Sequence, residues 1–318
     1  MGDNIVYGNI LEFTTSTSED VVFTLSCENI SYSTLTLKGK VNIPKDSYSS
    51  IGMGFYYSTK NSFDQNTDQV FVSSLALDDT FSADISVFEN TQYFYKAFAV
   101  VDGTTFYGNV HSITSSEIQV STNAILDLGL SVKWASSNVG ATSPELMGNT
   151  YAWGELIANK EVSYLGWDCY KYCMGTEYSI TKYNTNSNYG IVDNKTRLEN
   201  SDDVAYQLSG GTMRIPTKDE MSELYNNCKW IWGAYNGVTG FKIISKIEGY
   251  QNVVMFLPAE KSYDYEEDES ADAAYWTSDL RYSWAAHRLY ISNYHEPDKE
   301  LDSYDRAYPV HIRAVLIE

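Results

Sequence analysis

Arginine, threonine and carboxylates crowd together in "GGTMRIPTKDEMSEL", residues 210–224. Arg214, Thr217, Asp219 and Glu220 are the types that grip anions or move protons when they converge on one point. The same letters also write a helix start. Thr217 followed three residues later by Glu220 is a capping box, and Pro216 and Met221 are placed for a hydrophobic staple. Met221, Leu224, Tyr225 and Cys228 then recur at helical spacing, one buried face. Asp219 and Glu220 fall in the first turn, where negative charge offsets the helix dipole and the orphan amides. Every polar residue from Thr217 onward thus has a structural task. The stretch predicts a helix rather than a catalytic cluster, with Arg214 in a buried or half-buried salt bridge.

The remaining reactive types do not assemble into a centre. His111, His287, His295 and His311 form no HExxH pair, and neither a GxSxG elbow nor a phosphate loop is present. Cys169 and Cys173 are spaced C-x3-C, Cys228 lies far downstream, and Cys27 is alone in its half. That is neither a disulfide framework nor two close pairs of zinc ligands, and it leaves the pairing of Cys169, Cys173 and Cys228 open. The acid-rich "YDYEEDESADA", residues 263–273, offers oxygens suited to calcium, but lacks EF-hand spacing and the turn glycine, so it reads as a solvated loop. The expectation is no enzyme activity and no cofactor or transition metal, calcium being the one ion left open.

A third constellation is chemical in a different sense. Between residues 279 and 309, Tyr282, Trp284, His287, Tyr290, Tyr294, Tyr304 and Tyr308 stand among Asp, Asn, Ser and Arg. Tyrosine and tryptophan offer large, rigid, amphipathic faces, and the polar neighbours supply directional hydrogen bonds. Tyr282, Trp284, Tyr294 and Tyr304 are the leading candidates for a ligand-binding surface, with a glycan or a surface protein as partner. The plainer reading makes alternate residues, such as Leu289 and Ile291, core and their neighbours merely solvated.

The elements that must carry these residues fall into two halves. A net charge of −20, from 42 acids against 22 bases, disfavours nucleic acid and anionic membrane as partners. No apolar run approaches the ~20 residues of a membrane-spanning helix. "MGDNIVYGN" has neither a basic start nor an apolar stretch, so the chain is either cytosolic or lacks its leader. With 27 Tyr against only six Pro, composition favours strands and recognition surfaces. Residues 1–118 alternate with period two, as in "TLTLKGKV" and "IGMGFYYS", and "QYFYKAFAVVDGTTFYG" holds a hairpin about Asp102-Gly103. They predict a β-sandwich. "TSSEIQVSTN", within residues 114–123, is the linker (115–123). Residues 124–318 add helical signals: Ser201 as cap, Asp202 and Asp203 in the first turn and Gly210 as stop, then the helix after Thr217. Leu126, Leu128, Leu130, Val132 and Trp134 are expected on one face of a single strand.

Two resemblances attach to these halves. "FENTQYFYKAFAV" is similar to the region around strand F of fibronectin type III domains found in surface proteins of gut Bacteroidetes, with Tyr93 at the corner-tyrosine position; such domains are spacers. From residue 124, "LDLGLSVKWASSNVG", "YAWGE", "DDVAYQLSGGTMRIPTKDEMSEL", "NNCKWIWGAYNGVTG", "VVMFLPA", "YWTS" and "VHIRAV" occur in the order that resembles the Fibrobacter succinogenes major paralogous domain. Met213 and Met221 stand where that pattern has Trp, and Ile312-Arg313-Ala314-Val315 where it has Val-Arg-Pro-Val. The resemblance implies a C-type-lectin-like α+β domain, related to formylglycine-generating enzymes, on a secreted or lipid-anchored protein of the bacterial surface. Those enzymes use cysteines near their C-terminus, and this chain has none after Cys228. "HEPD" at 295–298 is similar to the Glu-Pro-Asn loop of calcium-dependent lectins, with Glu296 and Asp298 as oxygen ligands, but the later Trp-Asn-Asp is missing. Some proteins of that fold present variable aromatic side chains in the region of residues 279–309. The expected protein is therefore a non-enzymatic adhesion or carbohydrate-binding protein of the cell surface, an outer-membrane lipoprotein without its leader. The alternatives are a structural pilus-tip or surface-array subunit and an enzyme of the formylglycine-generating type.

Overall fold

Strands dominate the computed structural model, which describes residues 21–64, 66–158, 166–261, 270–294 and 297–317. The chain divides into two compact units, Met1–Ile118 and Gln119–Glu318. The protein is a β-rich, multi-sheet molecule with few helices, and no helix among the described residues is long and apolar enough to cross a membrane.

The first unit contains β1 (Val22–Glu28), β2 (Thr34–Val41), β3 (Ile51–Ser58), β4 (Asp68–Val72), β5 (Thr80–Ser86), β6 (Gln92–Val101), β7 (Thr104–Tyr107) and β8 (His111–Thr114). They form a three-stranded sheet, β1-β2-β5, and a five-stranded one, β4-β3-β6-β7 with β8 also on β6. Period-two burial delivers Leu35, Leu37 and Val41 from one sheet and Phe55, Tyr95 and Ala97 from the other into one shared core. Asp102 (φ 47°) and Gly103 (φ 85°) make the tight turn between β6 and β7. The Tyr93 hydroxyl accepts the Phe88 backbone N–H at 3.0 Å, pinning the chain five residues upstream.

The second unit has short strands β9 (Ile125–Leu126), β10 (Trp134–Ala135), β11 (Thr150–Tyr151) and, between helices α1 (Val204–Leu208) and α2 (Lys218–Asn227), β12 (Met213–Arg214). Then come β13 (Cys228–Tyr235), β14 (Val238–Ser245), β15 (Val254–Pro258), β16 (Glu260–Lys261), β17 (Ala271–Tyr282), β18 (Ala285–Ser292), β19 (Asp298–Asp305), β20 (Val310–His311) and β21 (Val315–Leu316). The sheets run β12-β21-β10-β9, β13-β14-β15 and β11-β20-β17-β18-β19, with β16 beside β17. The last of these lies between two cores. Ala273, Tyr275, Leu289 and Ile291 point into one, with Trp134, Met221 and Leu224. Trp276 and Ala286 point into the other, with Trp153, Tyr170 and Tyr183.

Two buried guanidiniums fasten this unit, with no carboxylate paired to either among the described residues. Arg313 donates to Asn138 Oδ1 (2.8 Å) and to the carbonyls of Ala135, Ser136 and Phe256 (3.2, 2.7 and 2.9 Å). Burial pulls its pKa down to about 10. Arg306 donates to the carbonyls of Tyr183 (2.7 Å) and Lys182 (2.8 Å).

Two local expectations are corrected. Residues 126–134 are not one strand. The Asp127 side chain accepts the Gly129 N–H at 2.9 Å, Gly129 sits at φ 70°, and the chain doubles back so that Leu126 pairs with Trp134. A Cβ at Gly129 would meet the Tyr250 ring at 2.6 Å, so the turn has room for glycine alone. Ser201 does not cap α1. Residues 200–202 form a 3-10 turn, and Asp203 is the cap, accepting the Tyr206 N–H at 3.0 Å.

Candidate functional site

The start of α2 is built as its residues dictate. Thr217 accepts the Glu220 N–H at 3.2 Å and Glu220 accepts the Thr217 N–H at 2.8 Å, a complete capping box. Arg214 grips the same carboxylate with both terminal nitrogens, at 2.7 and 2.5 Å. Partial burial works against the charge of Glu220, but these hydrogen bonds outweigh it and hold its pKa below the usual range. A cavity of about 550 Å³ borders this cluster, but its charges are spent on one another and on helix amides.

The other face to consider is on β17–β19. Where Leu289, Ile291 and Tyr275 point inward, their neighbours Arg288, Tyr290, Asp302 and Tyr304 point outward, because strands alternate. Arg288 stands directly opposite Asp302 and donates to both its oxygens, at 2.9 and 3.0 Å. Its guanidinium also lies 3.9 Å from the ring centre of Tyr304 and 5.2 Å from that of Tyr290. Held flat by an ion pair and two rings, it is a rigid centrepiece.

On either side of it the surface is concave. A cavity of about 580 Å³ runs past Tyr304, Arg288 and Tyr290 to Glu260, Thr150 and His311. A second, of about 200 Å³, adjoins it through Asp272 and Tyr290 and reaches Tyr294, Asp298 and Glu300. The Tyr290 hydroxyl donates to Asp272 at 3.3 Å, and burial, with the Asp272 charge, raises its pKa. Glu260 faces Asp272 directly across β16 and β17; partial dehydration and that second charge push its carboxyl up. His311, at the far wall, is held neutral by burial, its pKa pulled down to about 4.

The four candidates from sequence do not meet at one spot. Tyr304, 36% exposed, and Tyr294, 37% exposed, line the larger and smaller cavity respectively. Tyr282, 47% exposed, and half-buried Trp284 stack on each other at the β17–β18 turn, 5.6 Å between ring centres. The length of β18 separates that pair from Tyr294, on the order of 25 Å at ~3.3 Å per residue. Tyr290 belonged to the wider aromatic set but not to the four leading candidates, and Arg288 and Asp272 were not named. Strand parity was their available signal: with Leu289 and Ile291 inside, residues 288 and 290 must face out. His295, Glu296 and residues 263–269 lie outside the described residues, and with them most of the expected calcium oxygens. Among the described residues no three His, Cys, Asp or Glu side chains are arranged to hold a metal ion. All four cysteines are unpaired; Cys228 is buried, its thiol pushed up to about 11, and Cys173 donates to the Trp167 carbonyl.

No family model matches the chain, and no curated protein matches it. Among solved structures it is similar to the sensor domain of the anti-sigma factor RsgI4 of Pseudobacteroides cellulosolvens, with 16% identity and a TM-score of 0.26 over 32% of this chain and 99% of that one. A structure described as a myokine gives 10% identity and a TM-score of 0.25 over 31% of this chain and all of that one. At such overlap neither fold nor function carries over.

Proposed function

We propose that the chain is a non-enzymatic binding protein of the bacterial cell surface, a fibronectin III-like unit joined to a C-type-lectin-like unit of the Fibrobacter major paralogous type. Its ligand is a glycan, held on the open face of β17–β19. One observation supports this above the others: two adjoining cavities share Asp272 and Tyr290, with Tyr304 and Tyr294 exposed along them. Tyrosine faces stack on sugar C–H surfaces, and the rigid Arg288–Asp302 pair beside them offers fixed donors and acceptors. The ordered motifs from residue 124 support the family, and Tyr93 bonding back to Phe88 supports the sandwich type.

The test is a glycan array with the whole chain, repeated with Tyr290→Ala/Tyr304→Ala and separately with Trp284→Ala. Loss of one central aromatic costs about 2 kcal/mol or more, roughly a thirtyfold drop in affinity. The double variant is expected to lose binding while Trp284→Ala keeps it. Loss with Trp284→Ala alone moves the surface to the stacked pair at the turn. Unchanged binding by both removes the proposal.

A further inference from the structure

The smaller cavity carries chemistry that stacking alone does not explain. Ser270, 5% exposed, lies in its wall, and among the described residues its hydroxyl has no hydrogen-bond partner. A buried hydroxyl left unsatisfied is costly unless something arrives to meet it. Beside it stand Asp272 and the Tyr290 hydroxyl, with Asp298 and Glu300 at the rim. Glu260 opposes Asp272 directly across the strand pair, an arrangement that destabilises a sheet when both are charged.

The nearby cations do not offset these acids. Arg288 is committed to Asp302. Lys299 also lines the smaller cavity, but its ammonium lies 3.4 Å from the ring centre of Tyr225, which packs against the core on the other side of the sheet. Lys261 stands on the wall of the larger cavity, with Glu260 and Asp272.

We infer that the smaller cavity seats a protonated primary amine of the ligand, so that the glycan is an amine-bearing saccharide. The inference rests on the binding face proposed above. An ammonium has three donors and no acceptor, and Asp272 Oδ, Ser270 Oγ and the Glu300 or Asp298 carboxylate are acceptors around one recess. Ser292, Tyr290 and Tyr294 line the same recess, beside the place the amine would take. A single lysine side chain would fill the recess and leave the adjoining 580 Å³ unused, whereas a polyhydroxylated chain continues into it past Tyr304.

The experiment measures binding of glucosamine oligomers, at mildly acidic pH where the amine is protonated, against N-acetylglucosamine oligomers of equal length. The proteins are the whole chain, Asp272→Asn and Ser270→Ala, with a lysine oligomer and calcium as further probes. The amine-bearing oligomer is expected to bind at least tenfold more tightly than the acetylated one. Asp272→Asn should remove that preference, and Ser270→Ala should reduce it severalfold. Equal binding of both oligomers overturns the inference. So does an amine preference that survives in Asp272→Asn, since that is general attraction to an acidic protein. A lysine oligomer with the same dependence on Asp272 makes the partner a protein. Calcium that raises the melting temperature of the parent but not of Asp272→Asn makes the recess a metal site. If neither oligomer binds but another glycan does, and Tyr290→Ala/Tyr304→Ala abolishes that, the binding face stands and the amine falls.

Discussion

The cluster around Trp153 and the open face around Arg288 are both tyrosines closed about an arginine, with an aspartate nearby. They lie along the same side of one sheet, yet among the described residues only one half is covered. Trp153 and Trp276 lock the covered half, each indole donating to a strand carbonyl, of Thr277 and Tyr151, at 2.8 Å. Beneath them Arg306 lies 5.7 Å from the ring centre of Trp153 and 5.2 Å from that of Tyr170. Asp202 accepts the Tyr183 hydroxyl at 2.6 Å and the Lys182 ammonium, with Lys171 at 3.5 Å. Burial raises the phenols of Tyr170, Tyr172 and Tyr183, and the hydrogen bonds given to Asp202 hold its carboxyl down at about 2 against the cost of burial. In the open half the acids outnumber their partners. The same residue types are a structural knot where segments 151–153 and 170–183 cover them, and an open face, the proposed site, where no described residue does.

Matched substitutions in the two halves give the largest contrast. Asp202→Ala, which strands the buried Tyr183 phenol and removes one of the two carboxylates that hold half-buried Lys182, is expected to lower unfolding free energy by about 2–3 kcal/mol, and Asp302→Ala by about 1 kcal/mol or less. Urea denaturation of both decides it, and equal losses erase the distinction.

The acid limb is the second test. The folded pKa of Asp202 is depressed, so its contribution is complete above the unfolded value near 3.8 and disappears as pH falls towards about 2. At 1.36 kcal/mol per unit that is about 2 kcal/mol. His311, depressed from 6.5 to about 4, acts with the same sign at higher pH, because the unfolded chain takes up the proton first. The parent should therefore lose stability in two stages on acidification, first between 6.5 and about 4, then below 3.8. Asp202→Asn should lose less in the second stage, which the other depressed carboxylates, Glu220 among them, still supply. A parallel loss in both proteins refutes the assignment.

Arg288→Lys is the smallest perturbation. Lysine keeps the charge but cannot make the two-pronged contact or lie flat on Tyr304. Stability is expected to fall by about 1 kcal/mol or less, and affinity for the proposed glycan by more. A stability loss as large as that of Asp202→Ala would place Arg288 among the structural arginines.

What was legible in the sequence was local. The Thr217–Glu220 box, the Asp102-Gly103 turn and the alternation of Leu35, Leu37 and Val41 each depend on residues a few positions apart, and each is present. The Leu126–Trp134 alternation also appears in the burial, with Leu126, Leu128 and Trp134 inside, but a glycine turn rather than a strand delivers it. Period two does not distinguish an extended run from one folded on itself. Ser201 and Asp203 are both capping types, and only the 3-10 turn before α1 selects Asp203. For the proposed site, aromatic density drew attention to residues 279–309, where Tyr294 and Tyr304 are exposed. It could not show that Asp272, 18 residues before Tyr290, would hydrogen-bond to it. Long-range pairing creates that neighbourhood, as it does the cover over Arg306.

The placement of β21 bears on how the second unit comes into being. It is an inner strand, flanked by β12 and β10, and just before it Arg313 ties down carbonyls 177 and 178 residues earlier in the chain. Contacts of such separation slow folding, because a long loop must close before they can form. At a synthesis rate of about 5–20 residues per second, roughly ten to forty seconds pass between the emergence of Ala135 and that of Val315. Throughout that interval β10 lacks one neighbour and the carbonyls of Ala135 and Ser136 lack their donor. By its own topology the nascent second unit thus stays incomplete until the last of its described strands closes it.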